Sequence, residues 1–219
     1  MSAALSHEFN QPLAAVRAYA EVSGLMLDQG RDRDAKAGLD RILKVVERMT
    51  SISKHLRNFA RRPNKKLRSV KAQDVIRDTK EIILWRLSVA KVDLSFIQHD
   101  EETWVLADSV RLQQVLVNII SNAADAVEGQ ENRFIGIDVN TELNRVLIKI
   151  TDNGPGVPDA IAARIYDPFF STKGVGKGLG LGLSISYNIV KDFDGELSVR
   201  NLTEGGAEFC ISLQKAAAP

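Results

Sequence analysis

A single cysteine, Cys210, stands in a chain of 219 residues, which excludes an internal disulfide framework and fits a reducing cytosol. No apolar run approaches the roughly 18 to 20 residues that cross a bilayer, and no charged-then-apolar leader stands at the start. Charge of one sign is missing as well: 29 Lys and Arg against 28 Asp and Glu leave a net charge of +1, so no global field recruits nucleic acid or a membrane surface. Where basic residues do gather, over 57–71, Arg57, Arg61, Arg62, Lys65, Lys66, Arg68 and Lys71 have no stacking aromatic among them beyond Phe59. That stretch reads as a solvated linker in preference to a nucleic-acid patch. What remains, 44% hydrophobic and 26% charged, suits one or two domains with a real core. Met1 to Leu5 lead straight into a helical stretch, as in a piece of a longer chain.

Residues 2–28 carry Leu5, Phe9, Leu13, Val16, Ala20, Ser23 and Leu27 at spacings of three and four, the stripe of a helix, with Pro12 expected to loosen or bend it. Polar residues from Asp28 to Asp34 read as a turn. Leu39, Ile42, Val46, Met49, Ser53 and Leu56 then repeat as a heptad-like seam that Pro63 ends. Two such helices make an antiparallel hairpin whose apolar stripes stay half covered unless two hairpins pair in a homodimeric four-helix bundle. From residue 74 the pattern changes. Val75 to Leu87 look helical, Val92 to Phe96 and Trp104 to Ala107 look like strands, and Asp108 or Ser109 caps a long helix through Val127. Period-two runs follow near 135–139, 146–150, 197–199 and 209–213, the last two joined by a hairpin turn at Glu204-Gly205-Gly206. The pattern predicts an α+β chain: a dimerising hairpin over 1–63, a basic linker over 64–73, and a two-layer sandwich over 74–215.

Between 174 and 182 five glycines alternate along nine residues, Gly-Val-Gly-Lys-Gly-Leu-Gly-Leu-Gly. Backbone N–H groups in such a run can close on an anion, usually a phosphate. The alternative is a flexible linker, against which Lys173, Lys177 and the leucines argue. The P-loop pattern fails because Gly178 follows Lys177, and the dinucleotide fingerprint fails because Leu179 or Leu183 stands where its third glycine belongs. Asn118 and Asn122 share one helix face at i and i+4; their oxygens suit magnesium, or the pair is a polar edge facing water. Ile150 leads into Asp152, Gly154 and Gly156, where a strand-end carboxylate can accept the exocyclic amine of adenine, or simply form an Asx turn. Phe169 and Phe170 anchor a flap or belong to the core, and the positive end of a helix near Gly182 and Ser184 would face phosphates.

In this order, Asn118 to Asn122, Asp152-x-Gly154-x-Gly156, Phe169-Phe170 and Gly178-x-Gly180-x-Gly182 resemble the asparagine, first glycine, phenylalanine and second glycine boxes of the Bergerat-fold ATPases, specifically of sensor histidine kinases. The resemblance covers about residues 70–214. Ser6 to Leu13, Ser-His-Glu-Phe-Asn-Gln-Pro-Leu, is similar to the histidine box of the same kinases. Details of these motifs look most like the nitrogen-regulation and dicarboxylate-transport group.

The resemblance implies that His7 accepts the γ-phosphoryl group of ATP through Nε2 and passes it to an aspartate of a response regulator's receiver domain. Glu8, one position on, can hold the proton of the other ring nitrogen. Gln11, one turn after His7, takes the place of the side chain that orients water in dephosphorylating the receiver, and glutamine can both donate and accept. ATP is expected on Asn118, Asn122, Asp125, Asp152, Gly154, Gly156, Lys173, Lys177, Gly178, Gly180 and Gly182, with Mg2+ on Asn118 and Asn122. The glycine run becomes the distal half of an ATP lid. A cytoplasmic protein, or the cytoplasmic portion of a membrane-anchored sensor, is implied, with no direct membrane contact. Two rivals remain: a Bergerat-fold ATPase that drives conformational change, and a scaffold that binds nucleotide without reacting. The ATPases place a glutamate one turn before the magnesium asparagine to activate water, and here that position is Asn118.

Overall fold

The fold comes from a computed structural model that describes residues 2–60, 67–97, 102–173 and 180–219, without the side chains of 2–11, 47, 48 and 50–60. The chain divides into two compact units, Met1–Arg62 and Pro63–Pro219.

The first unit is a hairpin of α1 (Ser2–Asp28) and α2 (Asp32–Ala60). Helix α1 runs without interruption through Pro12. Its end is closed by Gly30, at φ +69°, whose N–H donates to Leu27 O while the Arg31 N–H donates to Met26 O. This double bond pattern satisfies the last carbonyls of the helix. The turn is shorter than the polar stretch 28–34 predicts, because Asp32 and Asp34 enter the first turn of α2, where negative charge favours the helix. Close to the turn Ser23 is buried and fills the space over Gly38: a Cβ built there would lie 2.0 Å from Ser23 Oγ. Leu13, Leu25, Leu27, Leu39, Leu43 and Val46 stay exposed on the single hairpin.

The second unit runs β1 (Arg68–Lys71), α3 (Ala72–Ala90), β2 (Asp93–Ile97), β3 (Trp104–Ala107), α4 (Ser109–Ala126), β4 (Phe134–Glu142), β5 (Arg145–Asp152), α5 (Asp159–Ala162), α6 (Gly182–Asp192), β6 (Glu196–Asn201) and β7 (Ala207–Gln214). Five strands form a mixed sheet in the order β2-β4-β5-β7-β6, parallel only between β2 and β4, and β1 pairs with β3 in a separate antiparallel ribbon. Along β5, Val146, Ile148, Ile150 and Asp152 are buried while the residues between them are half-buried, the alternation of a sheet covered on one face. Val115, Leu116, Ile119 and Ile120 of α4 join Ile135, Ile137, Ile148 and Ile150 in the core. Helix α4 starts where expected, since Asp108 accepts the Arg111 N–H at 3.0 Å. These layers are the two-layer α/β sandwich read from the sequence.

One expectation needs correction. The stretch 64–73, predicted as linker, contains β1, and α3 opens at the fully buried Ala72. Four residues with charge at both ends show no periodicity; only the ladder from Arg68 opposite Ala107 to Lys71 opposite Trp104 defines the strand.

The β6–β7 turn carries a constraint that its composition does not show. Gly206 adopts φ +96°, and a Cβ there would lie 1.9 Å from the carbonyl oxygen of Asp152. Backbone cannot yield as a side chain would, so Gly206→Ala is expected to destabilise the second unit by about 3 kcal/mol, read from the urea midpoint. A change below about 0.5 kcal/mol would contradict this packing.

Candidate active site

Helix α4 buries its aliphatic stripe and turns an amide-bearing face toward the start of α6 and the segment after Phe170. Asn118 Nδ2 donates to Gly182 O and to the Oγ of the buried Ser186, both at 3.3 Å. This ties α4 to the first turn of α6 and leaves Oδ1 of Asn118 as an oxygen donor. One turn on, Asn122 Oδ1 accepts from Lys173 Nζ at 3.2 Å. The same ammonium lies 2.5 Å from Asp125 Oδ2, and Arg86 Nη2 lies 2.5 Å from Asp125 Oδ1. Each oxygen of Asp125 therefore holds one cation.

Asp152 sits at the end of β5, only 4% exposed. Burial raises its carboxyl above the usual 3.8, opposed by the N–H groups of Gly154 and Ala207. Its Oδ1 accepts the Gly154 N–H at 2.9 Å. Gly154 passes close to the end of α4, where an added Cβ would meet Ala126 O at 3.0 Å. Gly156 has φ +78°, and a side chain there would meet Asn201 Oδ1 at 2.7 Å. Asn201 pins this loop by both ends of its amide, accepting from the Val157 N–H and donating to Val157 O. The loop that presents Asp152 is thus held by α4 on one side and by the β6–β7 hairpin on the other.

The phenylalanine pair and the described part of the glycine run also meet. The Phe169 N–H donates to Gly180 O at 3.0 Å, with both residues at positive φ, 68° and 64°. Phe169 and Phe170 pack half-buried on the core, and the Arg164 guanidinium lies 4.7 Å from the centre of the Phe170 ring. Gly182 opens α6, whose N-terminus has no side-chain cap among the described residues. Its first N–H groups are available to an anion.

The structure thus gathers Asn118, Asn122, Asp125, Lys173, Gly180 and Gly182 around the second half of α4 and the start of α6, with the loop of Asp152, Gly154 and Gly156 passing the C-terminal residue of the same helix, Ala126. Lys177 and Gly178 lie outside the described residues, as does the rest of 174–179. His7, Glu8 and Gln11 fall on α1, and their side chains also lie outside the described residues. Arg86 and Asn201 join the site from elements that carry no motif around them, brought in by the packing of α3 and β6, and Ser186 joins from α6, one turn beyond the last glycine of the second box.

The donor set fits magnesium. Asn118 and Asn122 offer neutral oxygens, which a hard cation takes alongside phosphates and waters. Among the described residues no group of three His, Cys, Asp or Glu could hold a metal alone. Retention here would depend on phosphate oxygens.

The family model for histidine kinase-, DNA gyrase B- and HSP90-like ATPases matches residues 107–217, so the unit that holds this site is an ATPase domain of that class. A second model, for the His kinase A phospho-acceptor domain, matches residues 1–65. The C4-dicarboxylate transport sensor protein DctB of Pseudomonas aeruginosa is 38% identical over 208 residues, which are 94% of this chain and 34% of that protein. DctB of Rhizobium meliloti is 30% identical over 99% of this chain and 34% of its own length. The nucleotide-free catalytic domain of the histidine kinase ThkA is 28% identical and superposes with a TM-score of 0.62 over 68% of this chain and 96% of that domain. The chain belongs to the sensor histidine kinases of two-component systems, in the group that includes the dicarboxylate-transport sensors. It spans about a third of the length of these curated relatives.

Proposed function

We propose that this chain is the kinase core of a two-component sensor, a protein-histidine kinase that acts as a homodimer. ATP held by 74–215 phosphorylates His7 on the hairpin 1–63, and His7 passes the group to an aspartate of a response regulator's receiver domain. The exposed leucines of the single hairpin support pairing with a second copy, which would cover them. A core that uses ATP and a receiver domain would work in the cytoplasm, alone or as the cytoplasmic portion of a membrane-anchored sensor.

The observation that carries the reading is Asn118. The hydrolysing ATPases of this fold place a glutamate there to activate water, and this chain has an amide whose nitrogen is bound to Gly182 and Ser186. Asp125, the nearest carboxylate on the same helix, has both oxygens on cations. With no base at that position, the γ-phosphoryl group is kept for transfer, which rests on positioning and charge neutralisation.

Asp152 accepts the adenine amine. Gly154 and Gly156 bring backbone up to the base, and Gly180, Gly182, Lys173, Lys177 and Gly178 attend the phosphates. Asn118 and Asn122 hold Mg2+, which when bound neutralises phosphate charge. Glu8 orients the His7 ring with Nε2 free, and Gln11 orients water for the reverse, dephosphorylating reaction. The test is incubation with magnesium and γ-labelled ATP, followed by acid and base treatment of the labelled protein. Label that is lost in acid and survives base supports the kinase; free phosphate without labelled protein supports the ATPase.

The burial of Asp152 gives a signed prediction. Its carboxyl titrates above 3.8 in the folded protein, so the folded state binds this proton more tightly than the unfolded chain. The group costs stability as pH rises through the raised pKa, and relieves that cost as pH falls. Adenine recognition has the opposite sign, since the amine needs the ionised carboxylate, and ATP affinity declines on acidification before ordinary carboxylates titrate. Asp152→Asn presents an amide in place of a full acceptor and should lower ATP affinity on the order of 100-fold at pH 7.5, measured by calorimetry. In the nucleotide-free protein, the stability difference between wild type and Asp152→Asn should move in favour of the wild type as pH is lowered. Unchanged affinity would remove Asp152 from the adenine site.

A further inference from the structure

The cluster around Asp125 contains a residue that no motif of the sequence singles out. Asp125 lies one turn beyond Asn122 on α4, beside the place assigned to the triphosphate. A carboxylate there repels phosphate unless something neutralises it. Lys173 does so, with Nζ shared between Asp125 Oδ2 and Asn122 Oδ1. The role given to Lys173 requires that ammonium to turn to phosphate, which would leave Asp125 bare. Arg86 meets that need. It reaches from α3 to the other oxygen, Oδ1, at 2.5 Å, so Asp125 keeps a counter-ion when Lys173 leaves.

We infer that Arg86 is a positioning residue for ATP: it holds Asp125 neutralised and so releases Lys173 to the phosphates. This rests on the proposed ATP site. Asp125 then acts on nucleotide binding only through the two cations it holds, as the site from which Lys173 must be drawn. The three side chains carry a net charge of +1, and side-chain exposure of 46% for Arg86, 34% for Asp125 and 33% for Lys173 leaves them screened in part by solvent. The expected effect is therefore moderate and dependent on salt. Without Arg86, the lone Asp125 either binds Lys173 more firmly or repels the triphosphate, and both outcomes act on the phosphates and leave the hydrogen bonds of Asp152 in place.

The test uses the whole chain, with calorimetric affinities for ATP and for adenosine at low and at physiological salt. Arg86→Ala is expected to weaken ATP about tenfold at low salt and less at higher salt, with adenosine affinity and thermal midpoint unchanged. Arg86→Lys should recover most of the loss. Asp125→Asn frees Lys173 and should bind ATP more tightly than wild type. The double variant Arg86→Ala/Asp125→Asn should bind like Asp125→Asn alone, because with the carboxylate gone the guanidinium has nothing to neutralise. A fall in adenosine affinity as large as the fall for ATP, or losses that simply add in the double variant, would overturn the inference. So would Arg86→Ala binding ATP as wild type does. Failure of the wild type itself to bind ATP would instead count against the proposed ATP site.

Discussion

His7→Gln is expected to yield no labelled protein when incubated with magnesium and γ-labelled ATP, while ATP affinity stays that of wild type. The first half follows from chemistry. Glutamine keeps polarity and approximate size, but its amide nitrogen has no lone pair free to attack phosphorus. The second half follows from the division of the chain, since the nucleotide residues belong to 63–219 and His7 to 1–62. Equilibrium binding and filter-retained label measure the two halves separately. Residual label of wild-type intensity would mean that a different residue accepts the group. Joint loss of label and ATP affinity would mean that His7 serves the nucleotide site.

The second large effect falls at the other end of the transfer. Asn122→Ala removes an oxygen assigned to magnesium and the neutral partner of Lys173, leaving that ammonium to Asp125 alone. Electrostatic groups aimed at a transferring phosphoryl group contribute about a hundredfold or more each, so labelling is expected to fall at least ~100-fold. Adenosine affinity should persist, because it rests on Asp152, which makes no contact with Asn122 in the hydrogen bonds that hold either residue. The oligomeric state, measured by light scattering, should persist as well, because the substitution lies outside the hairpin unit. A fully labelled Asn122→Ala protein would remove Asn122 from the metal site.

How much of this could be read from the sequence depends on the distance over which each feature is determined. Helix α4 was legible because its cap at Asp108 and its aliphatic stripe are local and long enough to show a period. Asp152 was legible because an apolar strand runs directly into a glycine turn. The glycine run reads as a phosphate-binding type from composition alone; of its residues 180–182 are described, and there Gly180 O accepts the Phe169 N–H. Strand β1 was not legible, since four residues with basic ends resemble a linker until β3 is placed beside them. Nor was the role of Gly206. Its turn is local, but the carbonyl that forbids a side chain there belongs to Asp152, more than fifty residues upstream. Arg86 is the clearest case. Its carboxylate partner is 39 residues away on another helix, and in the sequence it is one more charged residue on α3. Long-range side-chain pairs of this kind leave no period or spacing to read.

The central claim is that the γ-phosphoryl group of ATP ends on the imidazole of His7. Mapping the phosphoryl group by mass spectrometry, on peptides prepared at alkaline pH after brief incubation with magnesium and ATP, tests it most directly. The account predicts one acid-labile phosphopeptide that contains Ser6-His7-Glu8, with the group on His7. Free phosphate with no phosphopeptide, or an acid-stable phosphoryl group on a serine or threonine, would contradict it.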